Sequence, residues 1–132
     1  MKQCASGIFE VTLMPQGESD TAPGAVLGRM SIDKQFQGDL AGVGKGEMLT
    51  AMTDVTGSAV YVAVERVIGT LHGRQGSFIF QHVGSSYRGA QQLTIAVVPD
   101  SGAGELAGIT GELSLNIVDG KHFYTFEYSL PE

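Results

Sequence analysis

Glu65 and His82 are residues of proton-transfer type, and each is set in an apolar run, YVAVERVIG and SFIFQHVG. A hairpin turning around Gly73 with Leu71 opposite Gly76 puts Val67 opposite Phe80, Glu65 opposite His82 and Tyr61 opposite Ser86. Alternation then places Glu65 and His82 on one face with Ala63, Val67, Leu71, Phe78 and Phe80. A carboxylate beside an imidazole on an apolar face shifts both groups and serves general acid–base chemistry. The plainer reading is two buried polar groups that satisfy each other. A one-residue bulge would bring Gln81, not His82, opposite Glu65. Lys34 lies in the apolar register between Ile32 and Phe36. There it either snorkels to solvent, pairs with an acid, or works as a lysine of lowered pKa. Tyr124, Phe126 and Tyr128 follow the strand period, as core residues first and as an aromatic wall for a ligand second. The candidate binding residues are therefore Glu65, His82, Tyr61, Lys34, Gln81 and Tyr124.

Other chemistry has no support in the residues. His72 falls in a turn and His122 just after one, so both are expected at the surface, and the three histidines lack the spacing of a metal site. No nucleophile elbow, dinucleotide fingerprint or zinc-spaced cysteine set is present, and no cofactor is expected. Cys4 is the single cysteine, which excludes an intramolecular disulfide and gives no sign of an oxidising compartment. A hydrophobic export signal is not expected ahead of it, and the expected location is cytoplasmic.

The elements that must carry these residues read as strands. Alternation or β-branched runs mark 6–14, 28–40, 46–53, 58–71, 77–84, 93–98, 113–118 and 122–130, each bounded by Gly, Pro, Asp or Asn. Residues 59–68 are the single competitor for a helix, but four valines and an isoleucine favour a strand. PQGESDTAPGA, residues 15–25, reads as a long surface loop and the most disorder-prone stretch. Glycine makes up 19 of 132 residues, about double the usual ~7%. Ten of these fall in three similar segments, GDLAGVGKGEM from Gly38, GTLHGRQGSF from Gly69 and GELAGITGEL from Gly104. A strand follows each, where a phosphate loop needs a helix, so the segments read as glycine-built hairpins. Asp119–Gly120 signals another.

Eight antiparallel strands in meander order predict one all-β domain over residues 1–132, a single eight-stranded up-and-down β-barrel; a two-sheet sandwich is the alternative. Such a barrel is either solid or just wide enough for one small ligand. Fourteen acidic against eight basic residues disfavour nucleic acid and anionic membranes as partners. No apolar run reaches the ~20 residues of a membrane span. The strand 58–71 is apolar on both faces, so the face carrying Val60, Val62 and Val64 is expected to meet another subunit, making a homo-oligomer.

The runs Ile32–Phe36 and GDLAGVGKGEMLTA, Tyr61–Glu65, Gly69–His82, VVPDSGAGELAGITG and DGKHFYTFEYSLP together resemble the bacterial domain of unknown function family 3224, over nearly the whole chain. The resemblance implies a barrel like that of allene oxide cyclase, a plant enzyme acting on a fatty-acid epoxide. It implies no activity, and none of that enzyme's catalytic residues is carried over to this sequence.

Three functions follow as expectations. The favoured one is a barrel binding a small apolar molecule. An oligomeric scaffold with a solid core comes next, and then a cyclase or isomerase using Glu65 and His82 as acid and base.

Overall fold

Eight strands close on themselves, each antiparallel to its neighbours. The computed structural model describes residues 2–132. Its strands are β1 (Lys2–Pro15), β2 (Ala25–Gly38), β3 (Leu40–Thr53), β4 (Ala59–Leu71), β5 (Arg74–Tyr87), β6 (Ala90–Val97), β7 (Ala103–Gly104), β8 (Thr110–Val118) and β9 (Lys121–Ser129). The wall runs β1 to β6 in sequence order, then β8 and β9, and β9 returns to β1. The two-residue β7 is an addition that pairs with β5 at Gly76 and Ser77. The barrel expectation holds, and a sandwich is excluded by the continuous ring of pairing.

Three hairpins use two-residue turns in which both central residues have positive φ: His72–Gly73, Arg88–Gly89 and Asp119–Gly120. This backbone matches the right-handed twist of the strands it joins. The tight turn at His72–Gly73 corrects the expected register: Leu71 opposes Arg74, not Gly76, and Glu65 opposes Phe80. The slip is two residues, so every side chain keeps its face. The surface segment between β1 and β2 folds back on β2 through paired backbone hydrogen bonds between Asp20 and Leu27, both 2.8 Å.

The three glycine segments are not three hairpins. Gly38 and Gly73 occupy turns, but Gly42, Gly44 and Gly46 lie inside β3, and the segment from Gly104 leads into a plug. What the segments share is their leucine. Leu40, Leu71 and Leu106 are all fully buried, Leu40 pairs with Leu71, and Leu106 sits over Gly76. Together with Ile109 they close one end of the barrel. Above them an aromatic cluster fills the cross-section, with Phe126 stacked on Phe78 (5.7 Å) and Tyr128 (5.3 Å) and edge-on to Phe80 (5.3 Å). At the closed end Tyr124 lies over Gly7, its hydroxyl accepting from the Leu40 N–H (2.9 Å) and facing the carbonyls of Leu40 (2.9 Å) and Gln37 (3.1 Å). Tyr124→Phe strands the buried Leu40 N–H, so a loss of about 1–3 kcal/mol is expected in urea unfolding. A shift below about 0.5 kcal/mol would show that water replaces the phenol.

The opposite end is open. Inward-facing Leu13, Met52, Leu93 and Ile117 there are 40%, 62%, 44% and 61% exposed, though they stand in the same register as the buried core. The wall is thinnest here too, for β6 and β8 share only the pairs Ile95–Leu113 and Ala96–Glu112. The barrel is thus packed at one end and open at the other.

Candidate functional site

Between the plug and the mouth, three polar side chains are buried together. Lys34 comes from β2, Glu65 from β4 and His82 from β5. Lys34 Nζ donates to Glu65 Oε1 at 2.8 Å, and His82 Nε2 lies 2.6 Å from the same oxygen. With the carboxylate accepting, His82 carries its proton on Nε2 and donates it.

The pairing of Lys34 with Glu65 needs an explanation, because β3 stands between their strands. Neighbouring strands are ~4.8 Å apart, so the two backbones are separated by roughly 10 Å. Their side chains meet by lying across β3, where Lys34 and Val67 flank Gly44 and Ile32 and Glu65 flank Gly46. A methyl group on Gly44 would collide with Glu65 Oε2, and one on Gly46 with the β4 backbone. These glycines form a side-chain-free saddle over which the ion pair is made. His82 reaches Glu65 diagonally, since its direct partner is Ala63, and diagonal pairs remain within reach of long side chains.

The surroundings are apolar and aromatic. The Lys34 ammonium lies 4.6 Å from the Phe9 ring centre and 5.7 Å from that of Phe36, which partly replaces its lost hydration. Burial alone would raise the Glu65 carboxyl, but the His82 hydrogen bond and the Lys34 charge outweigh it and hold the group below its ordinary 4.5. Glu65 Oε2 is buried with no hydrogen-bond partner among the described residues.

The sequence matches the family described as "Protein of unknown function (DUF3224)" over residues 5–128. The chain belongs to the DUF3224 family. A crystal structure at 1.84 Å resolution of a DUF3224-family protein with unknown function, from Shewanella oneidensis MR-1, is 46% identical, covers 100% of both chains and has a TM-score of 0.94. No curated protein matches the chain.

In this DUF3224 barrel the six sequence candidates separate. Glu65, His82 and Lys34 form the buried triad. Tyr61 shares their face of β4 but stands nearer the mouth, its ring over Gly84. Burial, and secondarily the Glu65 charge, raises its phenol above 10.0. Gln81 points outward and is exposed, as alternation requires of a neighbour of His82. Tyr124 belongs to the closed end.

The mouth holds an apolar cleft of about 370 Å³, lined by Met48, Thr50, Met52, Tyr61, Ser86 and Leu93 among others. In the sequence the saddle glycines read as turn residues. The signal for the saddle was present in the alternation Gly42–x–Gly44–x–Gly46, which places all three on one face of a strand.

His72 is exposed as expected, yet its Nδ1 is hydrogen-bonded to the Tyr128 hydroxyl. His122 is half-buried, its ring centre 5.0 Å from that of Phe9. Among the described residues no group of three or more His, Cys, Asp or Glu is placed to hold a metal ion. None of them forms a helix long and apolar enough to cross a membrane.

Proposed function

We propose that the barrel receives a small apolar molecule through its open end. The observation that carries this reading is the mouth itself: inward-facing apolar residues left exposed around a cleft of about 370 Å³. That volume lies within the ~300–1,000 Å³ typical of small-molecule sites, and so does an apolar lining with few polar groups. Thr50, Tyr61 and Ser86 supply hydroxyls for orientation. The solid-scaffold alternative suits the closed half of the barrel only. The cyclase or isomerase alternative has less support. A carboxyl held below its ordinary range is a weak base near neutral pH, and the residues lining the cleft do not include Glu65, Lys34 or His82.

Nile red, a neutral dye that brightens in apolar surroundings, is the probe of choice for a chain of net charge −6. Wild-type protein is expected to give a saturable rise in fluorescence. Ala59→Trp, in the lining of the cleft, fills the mouth and weakens the dye by at least about tenfold, or 1.4 kcal/mol, without lowering Tm. Equal responses from the two proteins, or no response from either, would sink the reading.

A further inference from the structure

We infer that the outer face of β3, β4 and β5 joins two copies of this chain, packed with their strands running in opposite directions. Outward positions on these strands form rows: Ala51–Val60–Ser85, Leu49–Val62–Val83, Glu47–Val64–Gln81 and Lys45–Arg66–Ile79. Leu49, Val60, Val62, Val64 and Val83 are each exposed by more than two-fifths of their surface. A contiguous apolar patch of this kind on the outside of a closed barrel has no use in a solitary molecule and marks an interaction site.

The charges select a second copy as the occupant. A chain of net charge −6 repels itself over most of its surface, but the patch holds a single acid, Glu47, which is already paired with Arg29 at 3.6 Å. Toward the closed end Lys45 and Arg66 stand directly opposite each other on neighbouring strands. Asp33 on β2 stands opposite Lys45, but the other cross-strand neighbour of Arg66 is Ile79, and like charges side by side cost energy unless something acidic faces them. Arg66 makes no ion pair among the described residues, and neither does Asp54, in the hairpin that joins β3 to β4 at the open end.

A two-fold axis through the Val62 row, lying in the contact plane across the strands, reverses the strand direction. The Arg66 row is two rows from Val62 on one side. The row of Thr53 and Ser58, which bounds the Asp54 hairpin, is two rows away on the other. The axis therefore brings Lys45 and Arg66 of each copy over Asp54 of its mate, twice, with the valines packed between. This is a self-complementary surface of the kind a two-fold dimer requires.

Sedimentation velocity across a wide concentration range tests the assignment. Wild type is expected as a dimer, and Val62→Glu as a monomer. Arg66→Asp and Asp54→Arg each weaken dimerisation by about tenfold or more, because each sets like charges face to face. The double variant, carrying both reversals, restores it. A monomeric wild type would assign the face to a different protein and overturn the inference. So would a dimer indifferent to Val62→Glu, or a double variant no more dimeric than the single ones.

Discussion

Glu65→Gln is expected to cost about 3–5 kcal/mol of folding stability, the usual penalty for removing one partner of a buried ion pair. The neutral amide leaves the Lys34 ammonium, 8% exposed, without its counter-charge among aromatic rings. Urea unfolding at neutral pH reads the loss directly, and a change below about 1 kcal/mol would contradict the electrostatic account. The pH dependence carries a definite sign. Glu65 ionises more readily folded than unfolded, so its stabilisation is in place above the unfolded value of 4.5 and fades as pH falls through the lower folded value. Wild-type stability therefore declines below pH 4.5 more steeply than that of Glu65→Gln. Replacing all three partners together, as Lys34→Met, Glu65→Leu and His82→Phe, is a different case. Apolar substitutes for a whole buried ionic cluster are often neutral or stabilising by ~1–4 kcal/mol. A triple variant at least as stable as wild type would mean that the triad is retained for something other than stability.

Phe126→Ala is expected to cost about 3–5 kcal/mol, because it empties the centre of the aromatic cluster. Its ring is fully buried and touches Phe78, Phe80 and Tyr128 from both sides of the barrel interior. Those neighbours are pinned by their own strands and cannot collapse far into the gap. Phe123, three residues earlier on the same strand, faces outward and is partly exposed. Phe123→Ala should shift the urea midpoint by only about 0.5 kcal/mol. Comparable losses from the two substitutions would mean that the strand faces are assigned the wrong way round.

The contrast between these two phenylalanines was legible in the sequence, since a strand's side chains alternate whatever its exact register. Glu65 and His82 were placed together for the same reason. The observed register differs from the expected one by two residues, which preserves faces, and the two side chains still meet by reaching diagonally. Lys34 was visible as an ionisable group on an apolar face, but its partner was not. A contact made over an intervening strand depends on that strand presenting no side chains, and Gly44 and Gly46 are indistinguishable from turn glycines until the neighbours are known. The open end was equally hidden. Alternation looks the same along a whole strand, and what separates plug from mouth is the packing of Leu106 and Ile109, contributed by a segment without regular alternation.

Closure of the ring through β1 and β9 also sets an order of events during synthesis. Residues 2–5 pair with β9 alone, because β1 meets the β2–β3 hairpin only from Ser6 onward, where Ser6 is hydrogen-bonded to Asp39. A ribosome makes β1 before β9, and at ~5–20 residues per second the interval between them is on the order of ten seconds. Throughout that time these first four residues of β1 are an unpaired strand edge, open to capture by other nascent chains. Its sequence, KQCA, suits the wait: a lysine, a glutamine and two small residues offer little for another strand to hold. The bulky apolar residues of β1, Ile8, Phe9, Val11 and Leu13, all lie in the part that β2 covers early.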